Sequence, residues 1–224
     1  MFFRKKRKEE NSFYDSNRIR EKRVYLNGKL EGEYLSYYEN GQILAKLNFH
    51  NGLREGEAVS YYKDGRIREK CTYRNDKLVG EYVCYYENGR IREKENYNED
   101  GELDGEYLLY YKNDQIKNEE NFKDGKFDGE YCSYYKDGQI KEKGSFKDDK
   151  RDGEYVAYYK NGQVKERAKY EDGILDGKFV SYSEDGQILE TNSSELSSYD
   201  EDEWDDKEKE YEDLLKKLSE FDKE

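Results

Sequence analysis

The sequence contains no proline, one histidine, one tryptophan and three cysteines in 224 residues. The absence of proline removes the residue that most often interrupts the hydrogen-bond ladder of a sheet. Cys71, Cys84 and Cys132 have neither the spacing of a metal site nor the even number of a disulfide framework, so we expect reduced thiols. There is also no apolar run as long as a membrane span and no hydrophobic signal-peptide core. We therefore expect a cytoplasmic protein.

The chain has fewer basic than acidic residues, 41 against 54, and a net charge of −13. Such a chain repels phosphates, so we expect no nucleic-acid partner, and a basic protein fits better. A charged fraction of 42% with 33% hydrophobic residues is by itself typical of disorder. The 25 tyrosines and 9 phenylalanines argue against disorder, because tyrosine packs a thin sheet while its polar tip stays in water.

The chain lacks the groups that an enzyme needs. His50 is the only histidine, and no cysteine or carboxylate is spaced to form a triad with it. The glycines recur at a structural period, so they do not indicate a phosphate-binding loop. The carboxylates repeat along the chain, whereas an active site breaks the symmetry of a repeat. We therefore expect no enzyme, no catalytic residue, no cofactor and no metal site.

What the sequence has in abundance is one repeated unit, which is sought first because it decides the fold. A Gly-Glu pair recurs every 24 residues, with one interval of 25, and Lys178 replaces the last glutamate. A degenerate earlier copy runs from Phe13 to Tyr25. We predict a repeat domain over residues 9–192, a basic segment over 1–8 and an acidic segment over 193–224. The glycines of the seven pairs are Gly32, Gly56, Gly80, Gly105, Gly129, Gly153 and Gly177.

Each unit predicts two strands and two turns. In the fifth copy, GEYCSYYKDGQI, an aromatic run precedes Asp137-Gly138 and a second β-prone run follows over residues 139–146. Asn-Gly or Asp-Gly between such runs favours a two-residue loop with positive φ at both positions. A second turn closes each unit, as at Asn51-Gly52, Asp124-Gly125 and Asp172-Gly173. The fold class is therefore all-β, an elongated and twisted antiparallel meander of tandem hairpins that stack on one another.

A two-residue loop would also fix the register and the two faces of the sheet. One face would carry tyrosine, isoleucine, small residues and a row of glutamates. The other would carry a tyrosine row under lysine and arginine stems, which suits cation–π contacts. In the fifth copy the predicted pairs are Tyr135–Ile140, Ser133–Glu142 and Tyr131–Gly144 on the first face, and Tyr134–Lys141 and Cys132–Lys143 on the second. In the sixth they are Tyr159–Val164, Tyr155–Ala168, Tyr158–Lys165 and Val156–Arg167.

The unit G-E-Y-x-x-Y-Y-x-[ND]-G-[QR]-I-x-E-x-x-x-[YF]-x-[ND]-G resembles the MORN repeat variant of YwqK-type proteins. That family is grouped with the antitoxins of bacterial toxin–antitoxin systems, and the resemblance covers most of the chain. It implies a non-enzymatic bacterial protein that neutralises a protein partner. MORN-type repeats also serve as general protein-binding or lipid-binding scaffolds, so both remain alternatives. Some MORN units contain a tryptophan. The only tryptophan of this chain, Trp204, lies outside the repeats.

The two ends predict separate roles. Residues 1–8, MFFRKKRK, hold five basic residues, which suits either a weak membrane-surface contact through Phe2 and Phe3 or a solvated tail. From Ser193 to Glu224 there are fourteen acidic and five basic residues. Apolar residues at helical spacing there predict an acidic amphipathic helix. That helix either caps the last sheet edge or enters a basic groove of the partner, such as the nucleic-acid site of a toxic nuclease.

Our functional hypothesis is an antitoxin or immunity-type protein that binds a basic toxin or effector. A general interaction scaffold and a peripheral membrane protein are the alternatives. Ala58, Leu109, Asn118 and Asn113-Asp114 depart from the repeat and are either contact positions or drift. The predicted partner contacts are Tyr134, Tyr158, Glu142 and Glu166 in the repeats, and Trp204, Tyr211, Leu215 and Leu218 in the acidic segment.

Overall fold

The computed structural model describes residues 6–193, which form one antiparallel sheet of 22 strands joined by turns. Within this range there is no helix, and the predicted all-β architecture of tandem repeats is confirmed. The predicted acidic helix lies outside the described residues. The strands are β1 (Arg7–Phe13), β2 (Ile19–Leu26), β3 (Lys29–Leu30), β4 (Gly32–Tyr37), β5 (Ile43–His50), β6 (Leu53–Arg54), β7 (Gly56–Tyr61), β8 (Ile67–Arg74), β9 (Lys77–Leu78), β10 (Gly80–Tyr85), β11 (Ile91–Tyr97), β12 (Gly105–Tyr110), β13 (Ile116–Lys123), β14 (Lys126–Phe127), β15 (Gly129–Tyr134), β16 (Ile140–Lys147), β17 (Lys150–Arg151), β18 (Gly153–Tyr158), β19 (Val164–Glu171), β20 (Ile174–Leu175), β21 (Lys178–Tyr182) and β22 (Ile188–Ser193).

Each repeat has an opening strand and a returning strand. The opening strand, such as β15, starts at or beside the Gly-Glu position, and the returning strand, such as β16, follows the first turn. The returning strand pairs with its own opening strand and, through Glu142 and Lys143, with the opening strand β18 of the next repeat. A two-residue strand such as β17 completes every junction except the one between β11 and β12. The sheet therefore follows chain order from β1 to β22.

The first turn of each repeat differs from the predicted two-residue loop. In the fifth copy the Tyr135 N–H donates to the Gln139 carbonyl at 2.7 Å, and the Gly138 N–H donates to the Tyr135 carbonyl at 2.9 Å. The loop thus has three residues, and of the pair Asp137-Gly138 only the glycine has a positive φ, of 89°. The prediction was wrong because Asp-Gly equally fits a type I turn followed by a left-handed glycine.

A β-bulge then restores the predicted register. Tyr134 pairs with Ile140, and the next pair is Ser133 with Glu142, so Lys141 is the extra residue. The same shift occurs in all eight long hairpins of the described chain. The pairs Tyr135–Ile140, Tyr134–Lys141, Tyr159–Val164 and Tyr158–Lys165 were therefore wrong. The pairs Ser133–Glu142, Tyr131–Gly144, Cys132–Lys143, Tyr155–Ala168 and Val156–Arg167 are confirmed.

The second turn, not the first, is the two-residue loop. Asn51 and Gly52 both have positive φ, of 53° and 90°, between the paired residues His50 and Leu53. Asp148-Asp149 adopts the same conformation without a glycine, because aspartate tolerates the left-handed region better than most residues. In the 25-residue interval the extra residue enlarges this turn and leaves a single bridge between Tyr97 and Leu103 in place of a short strand.

The third tyrosine of each unit joins consecutive repeats. The Tyr135 hydroxyl donates to the carbonyl of Tyr158, in the opening strand of the next repeat, at 2.8 Å. We call the full set of seven bonds the tyrosine ladder; its O···O distances run from 2.5 to 2.8 Å. The other six donor–acceptor pairs are Tyr14–Tyr37, Tyr38–Tyr61, Tyr62–Tyr85, Tyr86–Tyr110, Tyr111–Tyr134 and Tyr159–Tyr182.

An apolar cluster lies on one face of this single-layer sheet, the core face, which in the fifth copy carries Tyr131, Ser133, Glu142 and Phe146. On the opposite face Val83 and Val156 are also buried. Small side chains on the core face are buried under large ones on the same face. In the sixth copy Ala168 is fully buried. The residues packed around its cluster are Tyr131, Tyr155, Ala157, Tyr170, Leu175 and Phe179. The first tyrosine of each unit thus builds the core, as Tyr131 and Tyr155 do.

Replacing Tyr111 by phenylalanine tests the tyrosine ladder. Tyr111→Phe removes the donor to the Tyr134 carbonyl and is expected to lower the free energy of unfolding by about 1 kcal/mol. Urea unfolding followed by far-UV circular dichroism measures this. Tyr110→Phe, one residue earlier, is the matched control, since the Tyr110 hydroxyl donates no hydrogen bond within residues 6–193. Equal losses in the two variants would contradict the ladder.

The fourth copy offers a stabilising change at its first turn. Asp114, at φ 70°, occupies the position that glycine holds in the other copies. Asp114→Gly is expected to raise stability by about 0.5 kcal/mol, because glycine adopts positive φ without steric cost. The ion pair lost with Arg90 is exposed on both sides, so its removal costs little. Thermal unfolding should show a higher midpoint for Asp114→Gly and no rise for Asp114→Asn, which removes the charge but keeps a side chain.

Candidate binding surface

The second tyrosine of each unit lies on the face opposite the core face. We call this the cleft face; in the fifth copy it carries Glu130, Cys132 and Tyr134 of β15 and Lys143 and Ser145 of β16, because side chains alternate along a strand. Equivalent residues of successive copies form rows across the strands. The row of the returning strands that contains Lys143 is Lys22, Lys46, Lys70, Lys94, Glu119, Lys143 and Arg167.

Charged side chains of the cleft face pair with each other over the first copies. The Nζ–Oε distances are 2.8 Å for Lys46–Glu33 and 3.1 Å for Lys70–Glu57. Both pairs are about half exposed, so each contributes at most about 1 kcal/mol. The predicted cation–π contacts are present at two positions, where Lys22 lies 5.6 Å from the Tyr37 ring centre and Lys143 lies 6.0 Å from that of Tyr158.

A cleft of about 470 Å³ lies on the cleft face in copies four to six. Glu119, which replaces the lysine of the row, lines the cleft on the β13 side, and the Tyr134 hydroxyl donates to the Glu119 carboxylate at 3.1 Å. Three carboxylates and two cations line it, so its own charge is negative. The lining residues are Glu119, Asn121, Glu130, Tyr131, Cys132, Tyr134, Lys143, Gly144, Ser145, Glu154, Val156, Tyr158 and Arg167.

The chemistry of the cleft suits binding. Burial raises the pKa of the Cys132 thiol, so at neutral pH this group is not the thiolate that a nucleophile requires. Burial holds the pKa of Lys143 below its ordinary value and raises that of Tyr134. No three histidine, cysteine or carboxylate side chains of the described chain come together in a geometry that could hold a metal ion. Aromatic rings beside carboxylates instead suit a cationic side chain.

The glutamate row of the core face is bonded within the sheet. Glu142 accepts hydrogen bonds from Ser133 and from Tyr155, both at 3.1 Å. Glu21 accepts from Ser12 and Tyr34 in the same way, at 2.9 Å each. These carboxylates therefore fasten neighbouring strands, with serine in the opening strand and tyrosine in the next as donors.

The predicted contact residues divide between the two faces. Tyr134 and Tyr158 both line the cleft, whereas Glu142 and Glu166 follow the core face, where Glu166 also pairs with Lys165 at 2.9 Å. A partner docked on one face would thus contact only one pair. Trp204, Tyr211, Leu215 and Leu218 lie outside the described residues, as do Phe2 and Phe3.

Sequence reasoning missed Glu119, which shapes the cleft. The signal was present, since Glu119 is the one acidic residue in an otherwise basic row. The departures singled out from the sequence fall elsewhere, because Ala58, Leu109 and Asn118 pair on the core face. Core-face cation–π contacts were also missed: the Arg54 guanidinium lies 4.1 Å from the Tyr73 ring centre.

Glu95 on the core face gives the structure a pH dependence. Burial and the nearby Glu93 charge raise the pKa of Glu95 above its ordinary value, although the Tyr97 hydroxyl donates to it. The folded state therefore binds the proton of the Glu95 carboxyl more tightly than the unfolded state does. The contribution of Glu95 to the free energy of folding becomes more favourable as the pH falls through the folded-state pKa. Glu95→Gln is thus expected to stabilise the protein at pH 7 by about 0.5 kcal/mol and less at pH 4.

Urea midpoints at the two pH values measure this difference. Glu106→Gln is the control, because Glu106 is exposed on the cleft face and its change should leave the midpoint nearly unaltered at both. A gain for Glu95→Gln that is equal at pH 7 and pH 4 would contradict the raised pKa.

Comparison with known proteins matches the repeats to one family. The family model described as MORN repeat variant matches residues 30–51, 54–75, 78–99, 103–124, 127–148 and 151–172, more than half of the chain. The comparison with curated proteins found no match. A solved structure of the Photorhabdus luminescens Tc holotoxin pore shares 12% identity over 84% of this chain, with a TM-score of 0.22. This chain covers 11% of that one, and so low a TM-score supports no likeness of fold or function.

Proposed function

This chain belongs to the MORN repeat variant family, and on that premise we propose that it is a bacterial antitoxin or immunity-type protein that neutralises a basic protein partner in the cytoplasm. Repeats of this family are generally non-enzymatic modules for protein or membrane interaction. The finer role as an antitoxin rests on the surface of this particular chain.

The observation that carries the proposal is the cleft that Glu119 lines. Its carboxylates Glu119, Glu130 and Glu154 outnumber its two cations, and three tyrosines also line it. An arginine or lysine of a basic partner would gain both charge-assisted hydrogen bonds and a cation–π contact there. Glu119 occupies a position that every other copy except the last fills with a cation, so the cleft is a local departure from the scaffold. Local departures of this kind are where a repeat protein acquires specificity.

The charge of the whole chain supports a basic partner. The chain carries a net −13, of which residues 193–224 contribute −9 and residues 1–8 contribute +5, which leaves −9 on the repeats. Both the repeats and the C-terminal segment thus attract cations. Such a field raises the association rate with a basic protein and weakens with salt. The same field disfavours nucleic acid, the substrate that a toxic nuclease would otherwise bind.

Capture from a native lysate tests the proposal, with the full chain and residues 1–192 as two baits. We expect the full chain to retain one basic protein that halts growth when expressed alone, and co-expression of the full chain to restore growth. Equal capture by both baits would place the contact on the repeats. Several partners without rescue of growth would instead favour a general scaffold.

A charge reversal in the cleft locates the contact. Glu119→Lys restores the cation of the row and is expected to weaken binding to the captured protein at least tenfold, since it replaces an attractive charge by a repulsive one. Glu57→Lys is the matched control, because it makes the same charge change on the cleft face of the second copy, at an exposed side chain. Isothermal titration with the purified partner measures both. Equal losses of affinity in Glu119→Lys and Glu57→Lys would show that only the net charge of the protein matters. Unchanged affinity in both variants would show that the partner does not contact the cleft.

A further inference from the structure

The two ends of the sheet are the two halves of a repeat junction. β1 has the pairing of an opening strand, since Ser12 pairs with Glu21 as Ser36 pairs with Ala45. β22 has the pairing of a returning strand. Inside the chain every returning strand except β22 pairs with the next opening strand. Among the described residues β1 pairs only with β2, and β22 only with β21.

The outward backbone groups of these strands match those of an internal junction. Between the sixth and seventh copies Val180 pairs with Arg167. The equivalent residues are Asn11 in β1 and Thr191 in β22. The Tyr14 N–H donates into its hairpin at 2.8 Å, so the N–H of Asn11, three residues earlier, faces away from that hairpin, because N–H groups alternate in direction along a strand. The Ser183 N–H likewise donates into its hairpin at 2.8 Å, so the N–H of Val180 faces away from β22, and that of Thr191, which pairs with Val180, faces away from β21.

We propose that the chain associates head to tail, with the β22 edge of one copy paired to the β1 edge of another. Thr191 then lies opposite Asn11, and Glu190 lies opposite Ser12, as Glu166 lies opposite Ser181 inside the chain. The interface is heterologous, so successive copies extend the sheet in one direction instead of closing a ring. The occupant of each edge is a second copy of this chain.

Exposed apolar side chains at both ends support this pairing. Phe13 at the end of β1 is 51% exposed, and Ile188 and Leu189 at the start of β22 are 63% and 66% exposed. Ile188 is more exposed than its counterparts in internal copies, which a neighbouring repeat covers in part: Ile116 and Ile140 are half-buried, and Ile43 and Ile67 are 37% and 40% exposed. A second copy would cover the three exposed residues together.

The charges at the two ends are also complementary. Residues 1–8 carry +5, and residues 193–224, which continue from β22, carry −9. Head-to-tail association brings the basic end of one copy to the acidic end of another, although both copies are acidic overall. Since the Debye length is about 10 Å at 0.1 M salt, raising the salt concentration should weaken this attraction.

Ser183 makes this junction weaker than the internal ones. It occupies the position of the ladder tyrosine in the seventh copy, and its hydroxyl bonds locally to Asp185 and Gln187. The carbonyl of Phe13 in the next copy, equivalent to that of Tyr37, thus receives no ladder bond. Association is therefore reversible and depends on concentration.

Two proline substitutions test the edges separately, with the full chain in both cases. Asn11→Pro removes the outward donor of β1, and Thr191→Pro removes that of β22; proline is tolerated at such edge positions because no internal ladder bond is lost. Sedimentation velocity of the unaltered chain should show a mass that rises with concentration above 26.9 kDa. Each variant alone should stay at the monomer mass. An equimolar mixture should form a 1:1 dimer and nothing larger, since each variant keeps the edge that the other has lost.

Other results would overturn the proposal. A monomer at all concentrations and salt levels would show that the edges do not associate. If both proline variants assemble like the unaltered chain, the assembly uses a surface other than the two sheet edges. If a proline variant fails to fold, Ser183→Tyr provides the test: it supplies the missing ladder donor and should lower the association midpoint about five-fold, whereas Ser183→Phe, which lacks the hydroxyl, should not.

Discussion

The bond from a tyrosine hydroxyl to the carbonyl of the next repeat is the interaction on which the rest of the structure depends. A single hairpin is marginal in water, and no second layer packs on this sheet within residues 6–193. Stability must therefore come from contacts between neighbouring repeats. The tyrosine ladder places one such contact at every junction, beside the first turn, where the strands would otherwise diverge. Its regularity follows from the three-residue loop, which sets the direction of the third tyrosine in each unit.

The bulge after each first turn determines which side chains lie on each face of the sheet. Because side chains alternate along a strand, an uncorrected shift of one residue would move every glutamate of the core face to the cleft face. With the bulge, Glu142 meets its serine and tyrosine donors, and the lysine row stays on the other side. The glutamates of the core face are thus hydrogen-bonded within the sheet. The cleft face carries Tyr134 and Glu119, which bond to each other at the cleft and which we propose as partner contacts.

Much of this architecture could be predicted from the sequence, because the repeat period, the β-prone runs and the second turn are local signals. The pairs from Ser133 inward were also predicted, although from the wrong loop, since the longer loop and the bulge cancel each other. What failed was the choice between two loops that Asp-Gly fits equally well, and only the flanking hydrogen bonds decide it. The cleft could not be predicted at all, because its walls come from three copies and depend on how the strands are placed side by side. Its key residue, Glu119, was visible in the sequence as a break in a basic row.

The order of the strands has a mechanical consequence. β1 and β22 lie at opposite edges of the sheet, and each long strand is bonded only to the long strands before and after it and to the short strand of its junction. A pulling force on the two ends therefore loads the hydrogen bonds at an edge one after another, as in opening a zipper, and does not shear many at once. Such a sheet yields at low force and lengthens hairpin by hairpin. Tension would be released in small steps from the ends, while the central copies, which contain the cleft, would keep their shape the longest.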